Sequence, residues 1–234
     1  MVRPVFAPKC PVNGRERAWV DKSVEWFRDQ FGDSPLAAPV ILATREFFPP
    51  QPASDADVRA LVRKVAGYMA VGPAVSVEFA SEIERVEWIQ RLQRQTRGAP
   101  VGVAGNDGEY CRTGKHGRHV VMIDRASFGR PARLLAVIAH ELGHVRLLGE
   151  RHAKPGSADH EALTDLVTVC LGMGIFTANA AIERDGYLTE PGFGCGLAVW
   201  ARSRGETDPP WETYLDRAPR AYLRQGVRYL RLQS

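Results

Sequence analysis

The sequence predicts an α+β chain: a short mixed β-sheet packed by helices in the N-terminal half, then a helix pair, then a C-terminal part that is helical throughout. Three observations carry this prediction. Strand-like apolar stretches, such as Val75, Val77 and Phe79 in alternation and the run Val120 to Ile123, occur only before residue 124. Val58, Leu61, Val62, Val65 and Met69 recur at the 3.6-residue helical period. From residue 129 onward, apolar helical stretches succeed one another, separated by Gly and Pro. With 234 residues, 44% hydrophobic and 25% charged, the chain is no disordered polymer and has enough material for one compact domain. Within it the parts are 1–128, a mixed segment; 129–178, a helix pair; and 179–234, helical.

Each element has a local cause. Asn13 is an N-cap for a helix to about Phe31, with Gly32 as the stop. Val40 to Thr44 reads as a short strand. Ser54 opens the second helix, and Gly72-Pro73 closes it. After the strand at Val75–Phe79, Ser81 and Glu84 make a capping box for a helix toward Gln95. The glycine-rich stretch from Gly98 to Gly117 is a loop or irregular hairpin, in which Val101 to Ala104 pairs with the residues after it. Pro131 sits in the first turn of a strong helix from about Arg130 to Leu148, stopped by Gly149. A further helix runs from near Asp159 past Leu171 toward Gly174. Thr189 caps another, with Pro191 early in it, to about Arg204. Pro209-Pro210 breaks the pattern, and Pro219 leads the last helix to Leu232.

The charge balance says little about partners. The net charge is +4, but only five of the 31 basic residues are lysines, and the arginines are interspersed with 27 acidic residues. No aromatic-basic motif accompanies them, so a nucleic-acid partner is not expected. The densest stripe, Arg220, Arg224, Arg228 and Arg231, reads as a solvated helix face. Apolar runs such as Leu134 to Ala139 fall far short of the roughly 20 residues of a membrane span, and no apolar core of a secretion signal follows Met1. The expectation is a cytoplasmic protein with no membrane partner. Cys10, Cys111, Cys170 and Cys195 contain no Cys-x-x-Cys pair, which argues for buried or free thiols, with Cys170 in the core.

All six histidines fall between His116 and His160. Among them His140-Glu141-Leu142-Gly143-His144 stands inside an apolar helix. Residues four apart share one helical face, so both imidazoles can reach one metal ion. Glu141 lies beside that face without being a ligand, placed to take a proton from an attacking water. A helix containing Leu134, Leu135, Val137, Ile138, Leu142, Val145 and Leu148 is buried, and two histidines and a glutamate in it are costly unless coordinated or bonded. A catalytic zinc site needs a third protein ligand. Glu161 and Asp165, four apart on the next helix, are candidates, as are His160 and His152; His116 and His119 read as exposed loop residues. Two histidines and a carboxylate suit zinc, and also non-haem iron.

At these residues the chain resembles the gluzincins, zinc peptidases in which H-E-x-x-H is followed by E-x-x-x-D on a second helix. The short gap from His144 to Glu161 is similar to that of compact minigluzincins. The likeness covers Ile123 to Ile175. The metzincin continuation is absent, since Leu147 and Glu150 stand where it needs Gly and His. ImmA/IrrE-type regulatory metallopeptidases are also similar, but their Leu-Leu-Met-Pro ending is replaced here by Cys170-Leu-Gly-Met-Gly-Ile-Phe176. Phe47-Phe48-Pro49 and Gly186-Tyr-Leu-Thr-Glu190, with the H-E-L-G-H helix, look like an uncharacterised bacterial family. The gluzincin resemblance implies a small zincin-like fold and a zinc-dependent hydrolase acting on a peptide or protein substrate. It implies His140, His144 and Glu161 as ligands, Glu141 as general base and Asp165 as the group orienting a ligand histidine. It further implies that Arg118 to Asp124 is a sheet edge pairing with substrate, and that an oxyanion donor comes from the C-terminal half, for which Tyr187, Tyr214 and Arg184 are candidates. The competing expectation is a zinc-binding regulatory or interaction protein of the same fold with little or no proteolytic activity.

Overall fold

The computed structural model describes residues 8–48, 52, 54–81, 83–84, 87–88, 90, 101–104, 108–112, 118–154, 159–181 and 187–233. In chain order their elements are α1 (Gly14–Phe31), α2 (Asp55–Tyr68), β1 (Val75–Phe79), β2 (Val101–Ala104), β3 (Gly108–Arg112), β4 (His119–Ile123), α3 (Pro131–His144), α4 (His160–Cys170), α5 (Gly174–Asn179), α6 (Glu190–Ser203) and α7 (Arg217–Arg231). This is an α+β fold, and among the described residues every strand lies before residue 124. Among the described residues no helix is long and apolar enough to cross a membrane. Contacts divide the chain into two units: Ala43–His160, and the segment up to Leu42 together with Glu161 onward.

In the Ala43–His160 unit the sheet has the order β1-β4-β3-β2. β1 runs parallel to β4, with Val75 opposite His119, while β3 is antiparallel to both β4 and β2. β4 is therefore hydrogen-bonded on both sides and is not the sheet edge implied for Arg118 to Asp124; the edges among the described residues are β1 and β2. Its side chains show the same interior position, because Val120 through Ile123 are all buried, on both faces. Val121 lies opposite Tyr110 on one face, which α3 covers; on the other, Val120, Met122 and Cys111 pack with Trp88.

α2 is capped as its sequence predicts. Ser54 accepts from the Asp57 N–H, and Asp57 accepts from the Ser54 N–H at 3.0 Å. Its buried stripe is Val58, Leu61, Val62 and Val65. After β1 the reciprocal Ser81–Glu84 bonds are present, the Ser81 N–H donating to Glu84 at 2.7 Å, and this donor holds the Glu84 carboxyl below its ordinary pKa. Residues 91–95 of the helix expected there lie outside the described residues.

α3 begins with Pro131 at its first turn and buries Leu134, Leu135, Ile138, Ala139 and Leu142. Each of the larger side chains contributes roughly 1.5–3 kcal/mol of burial. Instead of continuing as an α-helix to Leu148, the chain widens after His144 into one π turn, Val145–Gly149, in which the Glu150 N–H donates to the Val145 carbonyl at 3.0 Å. Side chains hold this turn: Arg146 donates to the Ala70 carbonyl at 2.9 Å and pairs with Glu150, which also accepts from the Gly72 N–H at 3.1 Å.

In the second unit, Asn13 accepts from the Glu16 N–H at 3.0 Å, and Gly32 ends α1 at φ 76°. Val40 to Thr44 is not a strand. The polar groups around it are taken by non-local partners: the Ile41 N–H donates to the Gly172 carbonyl at 3.0 Å, and Arg204 donates to the Leu36 and Ala38 carbonyls. Gly172, at φ +84°, separates α4 from α5, and a Cβ there would collide with the Pro39 carbonyl. Thr189 caps α6. The arginine stripe on α7 lies on a solvated face as predicted: Arg224, Arg228 and Arg231 are exposed and Arg220 is half-buried. Arg224 is also paired with Glu212, Arg220 donates to the Thr213 and Leu215 carbonyls, and Arg231 donates to the Thr207 carbonyl. No disulfide joins any of the four cysteines.

Candidate metal centre

α3 carries the two histidines on one face, a turn apart. Their Nε2 atoms face each other at 3.1 Å, with the rings nearly perpendicular. Nitrogens each about 2.0–2.1 Å from one tetrahedral zinc ion stand about 3.3 Å apart, so this pair has the separation such an ion requires. His144 is buried and His140 half-buried. The ring of His160, the first residue of α4, lies 6.1 Å from that of His144, and Glu161 is the next residue along the chain. His140, His144 and Glu161 each offer a ligand atom, and these atoms all lie within 4.8 Å of one another. Among the described residues this is the group of His, Cys, Asp and Glu side chains arranged to hold one ion.

The donor set also fits a cation electrostatically. Glu141 is 2% exposed and Glu161 8%. Two buried carboxylates beside two imidazoles carry a large desolvation cost, which a divalent ion offsets. The fit therefore rests on both the spacing and the chemistry of the donors.

Glu141 is placed by the sheet as well as by its own helix. Gly108 of β3 passes so close that a Cβ there would lie 2.6 Å from a Val137 methyl and 3.1 Å from Glu141 Cγ and Oε1. The absence of a side chain at 108 thus gives Glu141 its room. Asp165, 5% exposed on α4, accepts from the Leu188 N–H at 3.0 Å, so one carboxylate oxygen is anchored to the backbone ahead of α6. Tyr187 is half-buried and directly precedes Leu188. Tyr214 is 42% exposed in a 3₁₀ turn, its carbonyl accepting from Asn179. Arg184 lies outside the described residues, as does His116.

Sequence reasoning missed the aromatic support behind His144. Tyr110 is fully buried, its ring stacked against that of His144 at 6.4 Å, and its hydroxyl is hydrogen-bonded to His119 Nδ1 at 2.9 Å. His119 is consequently half-buried at the start of β4, and not an exposed loop residue. Gly149 allows the approach, since a Cβ there would lie 2.9 Å from the His119 ring. The only signal for this arrangement was Tyr110 within the glycine-rich stretch, where periodicity is too weak to assign a face. His152 lies 3.6 Å from Glu150 and does not join the His140–His144–Glu161 group.

The chain matches no protein-family model, no curated protein and no solved structure at a significant level. The class that its fold and site define is an α+β protein with a candidate His–His–Glu metal centre.

Proposed function

We propose that the protein is a zinc-dependent metallopeptidase of gluzincin or minigluzincin type, hydrolysing peptide bonds in a peptide or protein substrate. The observation that carries this reading is a buried carboxylate, Glu141, one residue along α3 from a His140–His144 pair whose Nε2 atoms are 3.1 Å apart. A structural metal site has no use for such a base and closes with a fourth protein ligand. Zinc supplies a Lewis acid for the scissile carbonyl and makes a water acidic enough to attack near neutral pH. His140, His144 and Glu161 hold the ion. Glu141 accepts the proton of the attacking water at its carboxylate and returns it to the leaving amine. Asp165, anchored at one oxygen by the Leu188 N–H, orients a ligand histidine through its remaining lone pairs. Tyr187, tethered next to Leu188, and Tyr214, in its exposed turn, are the candidates for donating a hydrogen bond to the oxyanion that develops on the carbonyl.

One observation favours the second reading, a zinc-binding regulatory or interaction protein with little or no proteolytic activity. β4 is bonded on both sides, so the strand that would align an extended substrate has no open edge. Glu141→Ala separates the two readings. If the protein is a peptidase, the variant keeps its zinc and loses cleavage of a peptide library. If wild-type protein with a full complement of zinc cleaves nothing in that library, the peptidase reading fails and the regulatory one stands.

A further inference from the structure

The face of the sheet turned away from α3 carries a cavity of about 710 Å³. Strand alternation accounts for its floor. Val120 and Met122 point away from α3, the register sets Glu78 of β1 beside Met122, and Arg118 falls on the same face two residues before Val120. The walls come from Phe79 and Ala80 at the end of β1, and from the chain opened by the Ser81–Glu84 bonds, which supplies Glu84, Glu87 and Trp88. Trp88 is half-buried, packed on Cys111, Val120 and Met122 while lining the cavity. None of His140, His144 and Glu161 lines it.

The lining combines an apolar floor and one indole with three carboxylates and one guanidinium. Arg118 and Glu78 neutralise each other at 3.1 Å. Glu84 and Glu87, both exposed, are the carboxylates in excess. One Glu84 oxygen accepts from the Ser81 N–H and hydroxyl at 2.7 and 2.8 Å, which holds this carboxyl below its ordinary pKa and leaves its second oxygen able to accept from a ligand. Arg125, whose charge also reaches Glu84, is held by both oxygens of Asp55.

We propose that this cavity binds a free small organic cation of the alkylamine or alkylguanidine class, at a site separate from the metal centre. Its volume falls within the roughly 300–1,000 Å³ of pockets that take a whole small molecule. The alkyl part covers Val120 and Met122 and removes apolar surface from water. The cationic head sits over the Trp88 indole, within the roughly 6 Å at which a ring attracts a cation, and donates charge-assisted hydrogen bonds to Glu84 and Glu87. A neutral molecule of the same shape leaves those two carboxylates without a counter-charge, and an anion is repelled by them.

The test titrates the full chain with agmatine, an alkylguanidine carrying a terminal amine, by calorimetry, and follows the tryptophan indole N–H resonances. The resonance missing from Trp88→Phe identifies Trp88. Saturable binding that shifts this resonance is expected, whereas 1,5-pentanediol, a neutral chain, leaves it in place. Glu84→Gln combined with Glu87→Gln should weaken agmatine binding by about tenfold or more, with metal content unchanged. Glutamine keeps an acceptor for the Ser81 N–H, and Glu87→Gln alone, at an exposed position, should still weaken binding by about threefold or more. Absence of saturable binding, an unmoved Trp88 resonance, wild-type affinity in the double variant, or an equal shift with 1,5-pentanediol overturns the proposal. So does tighter binding of a blocked arginine peptide than of agmatine, which would make the occupant a docked chain.

Discussion

Helices α3 and α6 have the same length, 14 residues, and both are buried over most of their surface, but they bury different chemistry. α3 takes Glu141 and His144 into an otherwise apolar stripe. α6 buries Gly192, Gly194, Gly196, Ala198 and Ala201, and its closest approaches are to α7, where a Cβ on Gly194 would strike Tyr222 and one on Gly226 would lie 2.7 Å from the Ala198 methyl. Small residues in α6 let two backbones come together, which is a packing device. Ionisable residues in α3 have no such value to stability, since burying them costs free energy unless something balances the charge. The difference singles out α3 as the helix that carries two of the three candidate metal ligands.

The contrast between the two helices is lost most completely at the ligands. His144→Ala is expected to weaken divalent metal binding by more than the roughly 10–100-fold that loss of a ligand's supporting partner causes, measured by competition with a chelating dye. Unaltered affinity would place the metal elsewhere. Next in size, Glu141→Gln should lower peptide hydrolysis by about 10²–10⁴-fold while metal content stays at the wild-type level.

Adding one methyl group to a glycine separates packing from function by a second route. Gly194→Ala overpacks α6 against the Tyr222 backbone and should cost about 1–3 kcal/mol in denaturant unfolding, with metal affinity unchanged. Gly108→Ala pushes on Val137 and Glu141, and its expected effect is lost activity out of proportion to lost stability. Equal effects of the two variants on both measurements would show that Gly108 is only another packing glycine. The smallest effect belongs to Tyr110→Phe, which keeps the ring against His144 but removes the bond to His119; a loss of about 0.5–1.5 kcal/mol in stability is expected.

How much of the fold and the centre was legible in the sequence depends on whether the cause was local. The caps at Asn13, Ser54 and Thr189 act within three residues, and all three hold the helices predicted from them. The His140–His144 pair was legible for the same reason, since a spacing of four fixes a shared face. What escaped was non-local. Val40 to Thr44 has strand-like residues, but Gly172 and Arg204, far along the chain, take the hydrogen bonds in and beside that stretch. The interior place of β4 depends on strand order, which no single strand encodes. Tyr110 and Gly108 support the centre from a glycine-rich hairpin whose pattern assigns no face, and the π turn after His144 is held by Ala70, Gly72 and Glu150, of which only Glu150 lies on the same stretch of chain.

Whether His140, His144 and Glu161 hold one ion is tested most directly by the stoichiometry of zinc in the purified, folded chain after dialysis against metal-free buffer, beside the single variants His140→Ala, His144→Ala and Glu161→Ala. About one zinc per wild-type chain is expected, with a loss in every variant while the far-ultraviolet circular dichroism stays unchanged. A folded wild-type chain that binds no zinc even when it is added back, or variants that keep the wild-type stoichiometry, would contradict a metal centre at these three residues.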